Sequence, residues 1–99
     1  MKVVWSKRAR RRVTEIARYI AQDSPQASGR WVDEIFETVE ALGDFPSLGK
    51  PGRDVATPGI RELVFGDFRV FYEVGTDVDV LTVRRASQLV DEDEFTSRD

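Results

Sequence analysis

The apolar residues of this 99-residue chain change their period once, close to residue 60. Before that point they recur every three or four positions, and after it at every second position. A period near 3.6 marks a helix with one buried face, and a period of two marks a strand. The switch demands helices first and an antiparallel sheet after them. Ala9, Val13, Ile16, Ala17 and Ile20 form the first helical stripe, after a short strand over 2–5 and a candidate N-cap at Ser6. Asp23-Ser24-Pro25 interrupts it. Ser24 suits the N-cap of a second helix and Pro25 its first position, where a missing N–H costs nothing. Ala27, Trp31, Ile35, Val39 and Leu42 carry that helix until Gly43 or Phe45-Pro46 stops it.

Three Gly and three Pro fall within 46–59, which reads as an ordered loop without regular structure. Strands are expected over 61–65, 68–74 and 78–84. Gly66-Asp67 has the chemistry of a two-residue hairpin turn, and Gly75-Thr76-Asp77 makes the next connection. Phe68, Val70, Tyr72 and Val74 should share one face, with Arg69, Phe71 and Glu73 on the other. In the last strand Val78, Val80 and Thr82 should oppose Leu81 and Val83. The fold class is therefore α+β, one domain in the order β-α-α-β-β-β. Its antiparallel sheet carries the helix hairpin on one face and leaves the other open to water. The domain is expected over 1–90, followed by an acidic tail over 91–99 expected to be disordered.

Composition removes whole classes of chemistry. The chain has no Cys and no His, so no disulfide framework, thiolate site, usual zinc ligand set or His-based triad can be built. No cofactor or metal is expected. There is no apolar run of membrane-spanning length, and the first residues lack the apolar stretch of a signal peptide, so the expected location is cytoplasmic. The net charge of -3 hides an asymmetry. Residues 1–20 hold Lys2, Lys7, Arg8, Arg10, Arg11, Arg12 and Arg18 against Glu15, whereas 91–99 hold five carboxylates against Arg98. Without that tail the chain keeps 14 basic and 13 acidic residues, so an anionic partner is compatible with it.

Arg61, Arg69, Arg84 and Arg85 are the candidate functional residues. Each lies in or at the end of a strand, where a half-buried Arg needs a partner. Grouped on an open sheet face, they could hold a phosphate or dock an anionic protein. Cross-strand pairing with Glu62 and Glu73 is the alternative. The run Arg8 to Arg12 reads as a solvated helix face, with Glu15 able to pair with Arg11 or Arg12. Glu34, Glu37 and Glu40 read as a solvated acidic face. Trp5, Tyr19, Trp31, Phe36 and Phe45 are assigned to core packing.

Several segments in order resemble the RelE/ParE toxin superfamily. They are Val4-Trp5-Ser6 with Ala9, Ile16-Ala-Arg-Tyr-Ile-Ala21, Ser24-Pro25-Gln-Ala27, Leu42-Gly-Asp-Phe-Pro46, Leu48-Gly-Lys-Pro-Gly-Arg53, Gly59-Ile-Arg-Glu-Leu63 and Phe68-Arg-Val-Phe-Tyr72. The resemblance covers about residues 3–84 and implies a toxin of a bacterial type II toxin–antitoxin module, held inactive by a cognate antitoxin. It also implies one of two activities. RelE-like members cut mRNA on the ribosome, and ParE-like members poison DNA gyrase.

Arg61 and Arg69 match arginines that nuclease-type members often carry. Where many members have a His-Gly-Arg-Arg segment, this chain has Arg84-Arg85-Ala86, with Arg85 at the His position and no later Tyr. A guanidinium stays protonated and cannot act as a general base. The helix hairpin and the Pro-Gly-Arg loop are closer to the ParE-like branch. The expectation is a gyrase-binding, non-enzymatic toxin, with Arg61, Arg69, Arg84 and Arg85 contacting antitoxin or target. The alternatives are a His-free mRNA endoribonuclease using Arg61 and Arg69, and a decayed toxin kept as an interaction module.

Overall fold

A computed structural model of the chain describes residues 1–96; the expected tail lies partly outside them, at 97–99. Strand β1 (Val3–Trp5) leads into helix α1 (Lys7–Ala21) and helix α2 (Pro25–Glu40), which ends in a 3-10 turn over Ala41–Gly43. Both helices start as the sequence requires. The Ser6 and Ser24 hydroxyls accept from the amides of Ala9 and Ala27 at 3.0 and 3.1 Å, and Pro25 opens α2. Strands β2 (Lys50–Pro51), β3 (Ile60–Phe65), β4 (Phe68–Val74) and β5 (Val78–Arg85) follow, then a short helix α3 (Asp93–Thr96).

The sheet runs β1-β5-β4-β3-β2, antiparallel except for the parallel β1–β5 pair. The β-α-α-β-β-β order holds, with β2 and α3 added to it. The loop over 46–59 contains β2, because Lys50 and Pro51 reach the free edge of β3 opposite Glu62 and Arg61. Pro51 is tolerated there since it sits on an edge. The β3–β4 hairpin turns at Gly66, whose φ of +57° only glycine adopts freely.

One face of the sheet packs on the helix hairpin through Ala9, Val13, Ile35, Val39, Leu42, Leu63, Val70, Tyr72, Val78, Val80 and Val83. Trp5 meets Phe36 and Trp31 meets Phe68 at its borders, with ring centroids 4.5 and 5.2 Å apart. Tyr19 and Phe45, expected in this core, are instead exposed at 58% and 64%. Tyr19 lies off the stripe that faces the sheet, and Phe45 lies beyond the end of α2.

The other face is not open. Ile60, Phe71, Leu81 and Phe95 form a second apolar cluster there, flanked by Val55 and Val90. The chain beyond β5 folds back across the sheet and buries Phe95, so the segment expected to be disordered from Asp91 is packed through Thr96. The reason is apolar area. With α1 and α2 on one side only, Ile60, Phe71 and Leu81 would face water, and Phe95 covers them.

The face assignment in β5 also needs correction. Phe71 pairs with Thr82 but Tyr72 pairs with Val80, so β5 bulges at Leu81. Leu81 joins Phe71 on the second face, the Thr82 hydroxyl binds Glu94 there, and Val83 returns to the helix side. Strict alternation would have put Val83 with Leu81. A bulge shifts every later side chain to the opposite face.

Candidate functional site

The four candidate arginines do not form one cluster. Register decides this. Arg69 and Arg84 stand opposite each other on the second face, whereas Arg61 pairs with Tyr72 and Arg85 with Phe68 on the helix side. Adjacent strand residues point to opposite faces, so Arg84 and Arg85 had to separate.

Arg69 is 3% exposed. Its Nε donates to Glu62 Oε2 at 2.5 Å and its Nη2 to the Arg53 carbonyl at 2.6 Å, while its plane lies 4.6 Å from the Phe71 ring centroid. Glu62, equally buried, also accepts from the Arg53 amide at 3.1 Å. The open-face role expected for Arg69 is thus replaced by the cross-strand pairing with Glu62. Two ions survive in an apolar cluster only when each satisfies the other.

Arg61 is half-buried at the start of β3. Its Nη2 donates to the carbonyls of Gly49 and Ser47 at 2.5 and 3.3 Å, and its Nε to the Tyr72 hydroxyl at 3.4 Å. Tyr72 in turn donates to the Pro46 carbonyl at 2.8 Å and accepts from the Gly49 amide at 2.9 Å. Arg61 and Tyr72 therefore hold the 46–49 loop, and no carboxylate neutralises Arg61 among the described residues.

Arg84 is tied to the C-terminal helix. Glu94 accepts from Arg84 Nη2 at 2.7 Å and Nε at 3.1 Å, from Thr82 at 2.8 Å, and from Arg12 Nε and Nη2 at 3.4 Å. Burial pushes the Glu94 carboxyl up most strongly. The hydrogen bonds from Arg84 and Thr82 and the charges of Arg84 and Arg12 outweigh it, so the net shift is downward. Arg12 also reaches Glu15 at 3.2 Å, and Arg8 donates to the Asp93 carbonyl at 3.4 Å. Two members of the arginine run expected to be solvated are therefore docking points for α3. Sequence reasoning missed Glu94 as a site residue by counting it as tail charge. The signal was Phe95, the one aromatic in the acidic stretch.

Arg85 differs from the other three. It is exposed, its guanidinium lies 5.0 Å from the Tyr19 ring centroid and 5.9 Å from that of Phe68, and no carboxylate pairs with it among the described residues. A cleft of about 220 Å³ opens beside it, lined by Arg12, Glu15, Tyr19, Arg84, Arg85 and Gln88. The cleft offers cations and a phenol. Its carboxylate, Glu15, is already paired with Arg12. Among the described residues no three acidic side chains cluster as a metal ion would need, and no helix is long and apolar enough to cross a membrane.

Residues 3–90 match the family model described as the ParE toxin of type II toxin–antitoxin system, parDE. The chain belongs to the ParE toxin family. Curated relatives agree with this. Y4kP of Sinorhizobium fredii is 42% identical over 89 residues, covering 88% of this chain and 90% of its own. Toxin RelE2 of Caulobacter vibrioides is 33% identical over 88% of this chain and 97% of its own. The ParE-family fold recurs in a solved chain of the chromosomal ParDE system from P. aeruginosa. Its TM-score is 0.73 at 24% identity, covering 86% of this chain and 95% of that one. The toxin–antitoxin complex RelBE2 from Mycobacterium tuberculosis contains a chain similar at TM-score 0.55 and 23% identity, over 85% of this chain and 95% of that one. This ParE-family protein is thus a toxin of the type II class, built on the fold that the ParE and RelE branches share.

Proposed function

We propose that this ParE-family toxin acts in the cytoplasm by binding DNA gyrase rather than by cutting RNA, and that a cognate antitoxin neutralises it. One observation carries the reading. Arg69, a cation that a RelE-type nuclease would present to phosphate, is 3% exposed and committed to Glu62. The buried carboxylates are committed as well: Glu62 to Arg69 and Glu94 to Arg84, the latter with its acidity increased. Cleavage through a ribose 2′-hydroxyl needs a proton acceptor near the phosphate, and a carboxylate held by arginine is a poor one. Binding needs none. Arg85 offers an unneutralised guanidinium to an antitoxin or target carboxylate, and Arg61 and the exposed edge of Arg84 lie within the same sheet.

The cleft beside Arg85 favours a second reading. Tyr19 comes from α1, not from the end of the chain, and places a phenol next to Arg84, Arg85 and Arg12. In that reading the toxin is a ribosome-dependent mRNA endoribonuclease.

One pair of assays separates the two. The antitoxin-free chain should inhibit gyrase supercoiling and leave mRNA intact on programmed ribosomes. Site-specific mRNA cuts that disappear in Tyr19→Phe would overturn the proposal in favour of the nuclease. Both assays blank would overturn it in favour of an interaction module.

A further inference from the structure

Arg61 stands between two adjoining clefts at the end of the sheet where β3 begins and β4 ends. One, of about 200 Å³, lies between Pro46, Ser47 and Val74, and the other, of about 300 Å³, between Pro51, Gly59 and Val74. No other charged residue lines either cleft among the described residues. The second stays open because Gly59, at a φ of +82° where glycine is favoured, puts no side chain beside Val74.

The guanidinium is held in position in advance. Its Nε donates to the Tyr72 hydroxyl and its Nη2 to the Gly49 and Ser47 carbonyls, and Nη1 takes part in none of these bonds. All three acceptors are neutral, so the charge is not compensated. Glu73, the carboxylate next to Val74 in β4, lies on the second face and is already engaged. Ser47 is exposed and uses its carbonyl, not its hydroxyl, in holding Arg61, which leaves the hydroxyl as a second donor at the same cleft. The surroundings are apolar. Phe45 and Leu48 flank Pro46 and Ser47 in the chain and are exposed, as is Val74. Asp44, next to Phe45, lines neither cleft.

This combination selects its ligand. A nucleic-acid backbone is gripped by several cations and gains nothing from walls of Pro and Val. A single preset guanidinium in apolar walls suits one carboxylate with an apolar neighbour, which is a protein segment. Position then separates the partners. Arg61 pairs with Tyr72 and Arg85 with Phe68, so the two guanidinium-bearing residues lie roughly 14 Å apart along β4 and roughly 10 Å across it. Each adjoins a different cleft.

We propose that the paired clefts at Arg61 are the docking site for the target protein, and that the antitoxin contacts the Arg85 end. Arg61 and the Ser47 hydroxyl receive an Asp or Glu side chain of the target, and an aliphatic or aromatic residue beside it packs on Val74 and the prolines. This assignment rests on the reading of the toxin as a gyrase binder.

Ser47 reports the sign of the partner's charge. It is exposed and its side chain holds no other element, so circular dichroism should record unchanged folding for Ser47→Glu and Ser47→Lys. The first variant neutralises Arg61 and repels an incoming carboxylate. The concentration of antitoxin-free toxin that half-inhibits gyrase supercoiling should rise at least about tenfold. The second adds a cation and should lower that concentration at least about twofold. Antitoxin affinity, read by calorimetry, should move by less than about twofold in both. If the parent inhibits gyrase and Ser47→Glu inhibits it equally well, the docking site is wrong and the gyrase reading stands. A parent that leaves supercoiling untouched overturns both. Two variants weakened alike would show that the cleft does not read a carboxylate, which also overturns the site. If Ser47→Glu spares gyrase inhibition and weakens antitoxin binding instead, the cleft belongs to the antitoxin.

Discussion

Arg69 and Glu62 form an ion pair sealed inside the protein, Nε to Oε2 at 2.5 Å, with side chains 4% and 1% exposed. The pair links β4 to β3 beneath the C-terminal segment. Removing one partner leaves the other charged and desolvated. Arg69→Ala should therefore cost about 3–5 kcal/mol of stability. Replacing both residues by apolar ones of similar volume should recover most of that loss. Denaturant midpoints of the single and double variants decide this, and a single variant as stable as the parent would exclude a sealed pair. Lost toxicity in Arg69→Ala would then report unfolding, not a missing contact.

Arg85→Ala offers the cleaner functional test. Its side chain is exposed and packs across the Tyr19 and Phe68 rings, so stability should change by less than about 1 kcal/mol. Antitoxin binding should weaken about tenfold, the effect of roughly 1.4 kcal/mol. Calorimetric titration measures the affinity. An unchanged value would remove Arg85 from the antitoxin interface.

Acid should loosen the C-terminal segment before it affects the helix hairpin. Glu94 ionises below the ordinary glutamate value of 4.5 in the folded chain. Glu92 shifts the same way, through hydrogen bonds from the Thr57 side chain and the Ala56 and Thr57 amides. A carboxyl whose folded pKa is depressed contributes stability in full above its unfolded pKa. That contribution is lost as pH falls through the folded value. Unfolding midpoints should thus be flat near neutrality and drop once pH passes below about 4.5. Glu94→Gln should flatten the drop. An acid limb of the same steepness in that variant would show that other carboxylates carry it.

How much of this was legible in the sequence differs from element to element. Helix starts at Ser6 and Ser24, the turn at Gly66 and the apolar stripes of α1 and α2 follow from contacts between residues close in the chain. Period and capping chemistry record such contacts directly. Family membership was legible for the same reason, since its motifs are short local runs. The docking of Arg12 on Glu94 joins residues 82 positions apart, and no local pattern encodes it.

The placement of the arginines belonged to the tertiary structure alone. Sequence determined that Arg84 and Arg85 lie at the end of a strand and point to opposite faces. Which faces they take depends on the bulge at Leu81, one extra residue that reverses every side chain after it. With strict alternation Arg84 would have met the helices and Arg85 the second face. With the bulge, Arg84 meets Glu94 and is spent on holding the chain end, while Arg85 reaches Tyr19 and pairs with no carboxylate among the described residues. A period-two pattern carries no mark of a one-residue insertion, because the bulge forms only when β5 must satisfy β4, β1 and the returning C-terminal segment at once.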